Sequence, residues 1–337
     1  MKVASGLASS PEVTAELAVI AVRQALEKAE LEQAASVLLF LTRDFQRHAQ
    51  AAVLAAARTA GCLQVAGCTA SGVFTEAGWR TDQPAAAALV LGPRAGKSTG
   101  DLRISFSGHS RLPYDWQDDR ARAGLLDSEA ITWSHGRIDP SAQSDLLLAG
   151  LHAHPIACPG LRPLGDAQAV ESSAGYDLQR LGGHTAADSL LRALPPEMRE
   201  RPPLHALALS RSDSLPAISL LSINGDGSLT LADEIEAGEQ LTWCMRQPLY
   251  AESEIRSALT AAVHGQKRPK FGLMFSCIGR GPLFYGNEDR DLQAYVECFS
   301  GLPLIGAYGT GQIVPAAKVN HLFHNTALTV LFESPDV

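Results

Sequence analysis

The chain has no basic excess, no closely spaced cysteine pair and no long apolar run, and each lack removes a class of protein. It carries 28 Lys and Arg against 36 Asp and Glu, a net charge of −8 and a pI near 5.7. A nucleic-acid partner asks for a basic patch, so none is expected, and nothing points to an anionic membrane surface. The balance suits a soluble acidic protein. No stretch approaches the ~18 apolar residues of a spanning helix. The N-terminus, MKVASGLASSPEVTAELAVI, has one lysine and no sustained apolar core, which makes it a poor signal peptide. Cys62, Cys68, Cys158, Cys244, Cys277 and Cys298 are scattered, without a CxxC pair. That pattern suits free thiols in a reducing cytoplasm better than a disulfide framework or a structural zinc site. A cytoplasmic location is therefore expected. No kinase, cyclase, receiver or DNA-binding pattern is present.

What is there is core material. With 337 residues, 46% hydrophobic and 19% charged, the chain can build two domains or one large one. Ser10-Pro11-Glu12 reads as a helix start, with Val13, Leu17 and Ile20 as its stripe. Ser36–Leu41 is short and β-rich, a buried strand. Asp44 would cap a helix carrying Phe45, Val53, Leu54 and Ala57, ended by Gly61. Leu63–Ala66 follows, then a glycine turn over Gly67–Val73, then a strand at Ala85–Leu91. The C-terminal part repeats this order: strand Phe271–Ser276, a helix opening at Asn287 or Glu288, strand Leu302–Ile305, a glycine turn over Gly306–Ile313 and a closing strand Thr326–Phe332. Gly67 aligns with Gly306 and Gly72 with Gly311, which reads as an internal duplication. Ligands of duplicated α/β proteins often sit at the carboxyl ends of strands, where the loops Thr42–Asp44 and Cys277–Gly281 both lie. Between the halves, Ser107–Pro140 reads as loops, while His205–Leu209 and Ala217–Ile223 read as strands, the latter followed by a hairpin turn at Asn224–Gly227.

Several constellations could carry chemistry. Gly92-Pro93-Arg94-Ala95-Gly96-Lys97-Ser98 resembles a phosphate loop but has three residues between its glycines where four are needed. His152 and His154 share a face if they lie on a strand, yet no further metal ligand is evident beside them. His321 or His324 could each serve as an axial haem ligand, or simply hydrogen-bond locally. Cys277 could be a nucleophile if nearby N–H groups and Arg280 favour its thiolate, a ligand contact, or an inert buried thiol. Arg280, between Gly279 and Gly281, could clamp a carboxylate or brace the loop against Glu288 or Asp289.

The runs GLMFSCIGRGPLFYG, PLIGAYGTGQIVP and HNTALTVLF resemble the C-terminal half of FIST domains, and VAGCTASGVFTEAGW with PAAAALVLG resembles the N-terminal half. ADEIEAGEQLTWCMRQPLYAESEI looks like the lead-in to the second half. The likeness is thinnest over residues 100–160, and Gln312 stands where the family often has Glu. It implies an α/β fold of two related halves with mixed β-sheets and flanking helices, divided as 1–150 and 151–337. It also implies a sensory domain of signal transduction, binding a small ligand such as an amino acid or another small carboxylate, with some relatives being haem-binding nitric-oxide sensors. On this reading the protein is not an enzyme and needs no cofactor, haem being the alternative. Its partners are the ligand and a separate signalling protein such as a sensor kinase. The expected ligand site comprises Cys277, Gly279, Arg280, Gly281, Tyr308, Gly311, Gln312, His324, Asn325 and Thr326, with Gly67, Ser71 and Gly72 as the matching N-terminal loop. Arg280 would hold the anionic group.

Overall fold

Alternation along one strand sets the layers. In β2 (Ser36–Thr42), Val37, Leu39 and Leu41 belong to one buried cluster, while Leu38 and Phe40 belong to another. Such a strand is covered on both faces, which is why it reads as an unbroken apolar run. The computed structural model describes residues 1–93, 102–148, 150–212, 214–265, 269–316 and 318–334. The phosphate-loop-like stretch at 92–98 falls largely on residues 94–101 and lies outside the described residues.

The fold is α/β. The chain begins with β1 (Val3–Ser9), α1 (Glu16–Ala29), β2, α2 (Ala49–Ala60), β3 (Val65–Ala70), β4 (Gly72–Thr75), β5 (Gly78–Arg80) and β6 (Ala85–Leu91). Next come β7 (Arg103–Ser107), β8 (Arg122–Leu126), β9 (Thr132–Ser134), β10 (Arg137–Ile138), β11 (Gln143–Leu147) and β12 (His152–Cys158). The stretch 107–140, expected as loops, thus holds strands. Helix α1 starts after Pro11, at Glu16, and buries Leu17, Ala18, Ala21, Val22, Ala25 and Leu26. Gly61 ends α2 in the left-handed conformation, φ 65°, as its position after the helical pattern requires.

Residues 160–254 form one compact unit, and residues 1–159 with 255–337 form the other, so the units divide the chain otherwise than at residue 150. The inserted unit contains β13 (Leu161–Pro163), β14 (Gln168–Ala174), β15 (Asp177–Leu181), β16 (His184–Thr185), α3 (Ala186–Ala193), β17 (Leu207–Ser210), β18 (Ile218–Ile223), β19 (Leu229–Leu231) and β20 (Gln240–Arg246). The order β20-β14-β15-β19-β18-β17 closes when β17 pairs back to β20, every pairing being antiparallel. Closure removes free edges. Inside the unit, Trp243 is buried and its Nε1 donates to Ser189 Oγ at 3.0 Å.

After α4 (Pro248–Gly265) the chain continues with β21 (Phe271–Cys277), α5 (Arg290–Cys298), β22 (Leu304–Gly309), β23 (Gly311–Ala316), β24 (Val319–Phe323) and β25 (Ala327–Glu333). Two sheets of the larger unit share one topology. The first runs β1-β6-β2-β3 and the second β12-β25-β21-β22, each with one parallel pair, β2/β3 and β21/β22. Helices α1 and α2 cover the first sheet, and α4 and α5 contribute to the cluster on the second. The inner faces join through Phe40 and Phe275, ring centroids 6.1 Å apart, with Phe106 5.3 Å from Phe40. Burying each such ring stabilises by roughly 1.5–3 kcal/mol.

The expected glycine turns are strand interiors. Gly67 pairs with Leu39 in β3, and Gly306 pairs with Met274 in β22. A Cβ on Gly67 would lie 1.8 Å from the Leu39 carbonyl oxygen, and one on Gly306 2.1 Å from the Phe74 ring. The glycines admit close neighbours, and the chain turns only afterwards, at Ser71 and Thr310.

Candidate functional site

At both corners the chain passes to another sheet, β4 to the second sheet and β23 to a third of order β11-β7-β8-β23-β24. Beyond β3, the Ser71 N–H donates to the Tyr308 carbonyl at 2.9 Å, and β4 leaves the first sheet to pair with β22. Beyond β22, the Thr310 N–H donates to the Leu126 carbonyl at 3.0 Å, and β23 pairs with β8. The carboxyl ends of the two parallel pairs are thereby tied to one place, the position where open α/β sheets bind ligands.

A continuous set of polar contacts fills this junction. Asp127 follows β8 with its side chain fully buried. Arg43, in the turn after β2, forks onto it: Nε to Oδ2 at 3.0 Å and Nη2 to Oδ1 at 2.5 Å. Ser71 Oγ donates to the same carboxylate at 3.0 Å. Burial lifts the Asp127 carboxyl above the ordinary range, while Arg43 and Ser71 hold it down. Arg43 also donates to the Ser128 carbonyl, and the Ser128 N–H donates to Thr310 Oγ1, both at 3.3 Å. The Thr310 carbonyl accepts from His324 Nδ1 at 2.9 Å and faces the Cys277 thiol at 3.9 Å, which is also 3.8 Å from Asn325 Oδ1. A carbonyl can only accept, so His324 Nδ1 carries a proton in this contact. The Arg43 side chain is 43% exposed.

The residues expected at the site divide in two. His324 and Gly279 are exposed, and Ser71 and Asn325 are half-buried. Asn325 takes the left-handed conformation, φ 55°. Cys277 is only 5% exposed. Thr326 is buried, its hydroxyl donating to the His324 carbonyl. Gln312 is buried too; with its amide turned to satisfy its neighbours, it accepts from the Cys277 N–H at 3.0 Å and donates to the Thr326 carbonyl at 3.1 Å. Gly311 packs on Leu322, and Gly72 lies in β4 against Thr81 and Tyr308. No hydrogen bond joins Cys277 to His324 among the described residues. His321 sits on β24 opposite Val314. His152 and His154 do lie on a strand, β12, but no cluster of metal-ligating residues occurs among the described residues.

Arg280 requires correction. Its side chain is 1% exposed and turned inward, with Nε and Nη2 on Asp291 at 2.8 and 3.1 Å and Nη1 on the Cys158 carbonyl at 2.6 Å. It braces the loop, as one sequence reading allowed, but its partner is Asp291 rather than Glu288 or Asp289. A Cβ on Gly281 would lie 3.1 Å from the Tyr308 ring, so the glycine lets the loop lie flat on that ring. Tyr308 is likewise buried, its hydroxyl donating to Asp289. Asp289 caps α5 by accepting from the Leu292 N–H at 2.9 Å. Burial first, then the nearby Asp291 carboxylate, push the Asp289 carboxyl up to about 6. Burial also raises the Tyr285 hydroxyl, which donates to Asp291 at 2.8 Å.

Sequence reasoning passed over Asp127, Ser128 and Thr310. Arg43 was within its reach, since the turn after β2 was already placed at a strand's carboxyl end. Asp127 had no local signal: it lies in a stretch without recognisable periodicity.

Residues 186–315 match the family model described as the FIST C domain. Over that segment the chain is similar to the FIST C domain. The chain is also 27% identical over 199 residues to an uncharacterized protein of Mycobacterium tuberculosis (strain CDC 1551 / Oshkosh), covering 55% of this chain and 52% of that protein. An uncharacterized protein of Mycobacterium bovis (strain ATCC BAA-935 / AF2122/97) gives the same identity and coverage. The chain thus spans about half the length of the curated relatives it matches. The FIST C match takes in α3, β17–β20, α4, β21, α5, β22 and most of β23, and so reaches the Cys277–Thr310 side of the junction. No helix among the described residues is long and apolar enough to cross a membrane.

Proposed function

We propose that the protein is a cytoplasmic, non-catalytic sensor that binds a small ligand, an amino acid or other small carboxylate, at the junction of the two parallel strand pairs. The observation behind this reading is Thr310, which joins the Arg43–Asp127 pair on one side to Cys277 and His324 on the other. Arg43 offers cationic N–H groups, while Asn325 and, with the ring neutral, His324 Nε2 offer acceptors. That is the complement of a ligand bearing both a carboxylate and a donor. Cys277 gives contact or redox sensitivity. The signal passes to a separate protein such as a sensor kinase.

The test is thermal unfolding of the purified chain against amino acids and small carboxylates. A ligand at a hundredfold excess over its Kd stabilises the folded state by about 2.7 kcal/mol. The expected result is a shift that is lost in Arg43→Ala and in His324→Ala. A shift that survives both substitutions overturns the location, and no shift with any compound moves the reading to an interaction scaffold.

One observation favours haem as a second reading. His324 donates Nδ1–H to a backbone carbonyl, as metal-ligating histidines are held. Haem also needs an apolar slot, and Arg43, Ser71 and Asn325 beside it are polar, so only the histidine fits. A Soret band after haemin addition, absent from His324→Ala, would carry this reading.

A further inference from the structure

Strand β5 and the chain after it, Gly78–Gln83, line an open pocket of about 500 Å³, a volume in the range of small-ligand sites. None of the expected site residues lines it. Arg80 is half-buried there and forms no ion pair with any described residue, although the exposed Asp82 is part of the same lining. Its guanidinium is nonetheless held in place: Nε donates to Ser9 Oγ at 3.0 Å and Nη1 to the Trp79 carbonyl at 2.6 Å. Nη2 has no partner among the described residues. Gln83 Nε2 donates to the same Ser9 oxygen at 3.2 Å. The pocket therefore presents a cation that is held in place by Ser9 and the Trp79 carbonyl and is paired with no described carboxylate. Half-buried Trp79 lines the same space and packs on the apolar cluster beneath.

Taking a guanidinium part-way out of water without a carboxylate is costly, and an oxyanion held by its N–H donors offsets that cost. We propose that this pocket is a binding site for a small carboxylate carrying a flat apolar body, the carboxylate on Arg80 and the body on Trp79. The site is separate from the strand-end junction and does not depend on the function assigned there.

The test is calorimetric titration of the full chain with benzoate, acetate, phenyl phosphate and inorganic phosphate. The expected result is that benzoate binds, and that acetate and inorganic phosphate bind at least tenfold more weakly. Arg80→Gln and Gln83→Glu should each weaken benzoate at least tenfold. Gln83→Glu keeps the side-chain shape and supplies the missing counter-ion, so it decides the matter if Arg80→Gln does not fold. Binding of phenyl phosphate in preference to benzoate overturns the carboxylate assignment. No binding of either aryl anion, or binding unchanged in Gln83→Glu, overturns the site, as does binding abolished only by His324→Ala.

Discussion

Arg280 and Asp291 meet as a two-bonded fork, both side chains 1% exposed, across one turn and the start of a helix. The pair locks the loop after β21 to the first turn of α5, and Tyr285 closes over the same carboxylate. An arginine between two glycines is explained by this inward fork and by the close approach of Gly281 to Tyr308. Removing one partner of a buried pair leaves an uncompensated charge and costs about 3–5 kcal/mol. Asp291→Ala should therefore destabilise by that order in urea unfolding. Arg280→Met combined with Asp291→Leu should recover much of the loss, because the charge and its counter-charge leave together. A double variant no more stable than Asp291→Ala would contradict this account.

Asp289 makes stability depend on pH. Its carboxyl is raised from 3.8 to about 6 in the folded chain. The folded state thus holds this proton more tightly than the unfolded state does. Its contribution is fully present below about pH 4 and is lost as pH rises to about 6. At 1.36 kcal/mol per pKa unit the change is at most ~3 kcal/mol. Asn also caps helices, so Asp289→Asn should keep α5 while flattening this slope. Denaturant unfolding between pH 4 and pH 7 checks it: a slope unchanged in Asp289→Asn assigns the pH dependence to other groups.

Much of this fold was legible because buried strands are dense and uniform: Ser36–Leu41, Ala85–Leu91 and Phe271–Ser276 appear close to where they were expected. Helix starts were read less well. Ser10-Pro11-Glu12 has the composition of a cap, but Val13 and Ala15 are only partly buried against the core, full burial begins at Leu17, and α1 starts where its buried face does. The glycines misled for a related reason. A glycine in sequence signals permissive backbone, yet at Gly67 and Gly306 what is used is the missing Cβ, against neighbours from distant segments. The junction was half legible. His324 and Asn325 flank a visible strand start, whereas Asp127 gains its role only when β8 pairs with β23, a contact without local trace.

Arg43 and Asp127 give a second pH-dependent prediction. Arg43→Ala leaves Asp127 buried with only Ser71 as a side-chain partner, so its carboxyl should rise further. The variant then favours the protonated acid, and its deficit relative to the parent should grow as pH rises. Expected costs are below about 1 kcal/mol at pH 5 and about 1–3 kcal/mol at pH 8, discounted because Arg43 is partly exposed. Unfolding of both proteins at the two pH values measures the difference. Equal deficits would mean that Arg43 contributes packing rather than charge.

The strand-interior glycines should tolerate no side chain. In Gly67→Ala the new Cβ would lie 1.8 Å from the Leu39 carbonyl oxygen, an atom of the neighbouring parallel strand. Backbone cannot rotate away as a side-chain tip can, so β2 and β3 would have to separate. Gly183 is a useful contrast: at φ 86° with nothing within 4 Å of a Cβ, it meets conformational strain alone. Gly183→Ala should cost about 1 kcal/mol, and Gly67→Ala several times that. Comparable midpoints for the two variants would contradict the packing account.

Thiol reactivity separates the sensor reading from a nucleophile reading. All six cysteines are free; Cys62 and Cys298 are half-buried, and Cys68, Cys158, Cys244 and Cys277 are buried. Burial slows a reagent and, at Cys68, also pushes the thiol well up. Alkylation of the folded chain with iodoacetamide should therefore modify Cys62 and Cys298 first, the other four following only as the chain opens. Cys277 has carbonyl and amide oxygens near its sulfur and no hydrogen bond to His324. A nucleophile needs a base within reach, and this surrounding offers acceptors without one. Peptide mapping of the first modified sites decides the matter. Cys277 reacting ahead of Cys62 and Cys298 would mark an activated thiolate and return the enzyme reading, whereas Cys277 reacting with the buried group leaves it as a contact within the strand-end junction.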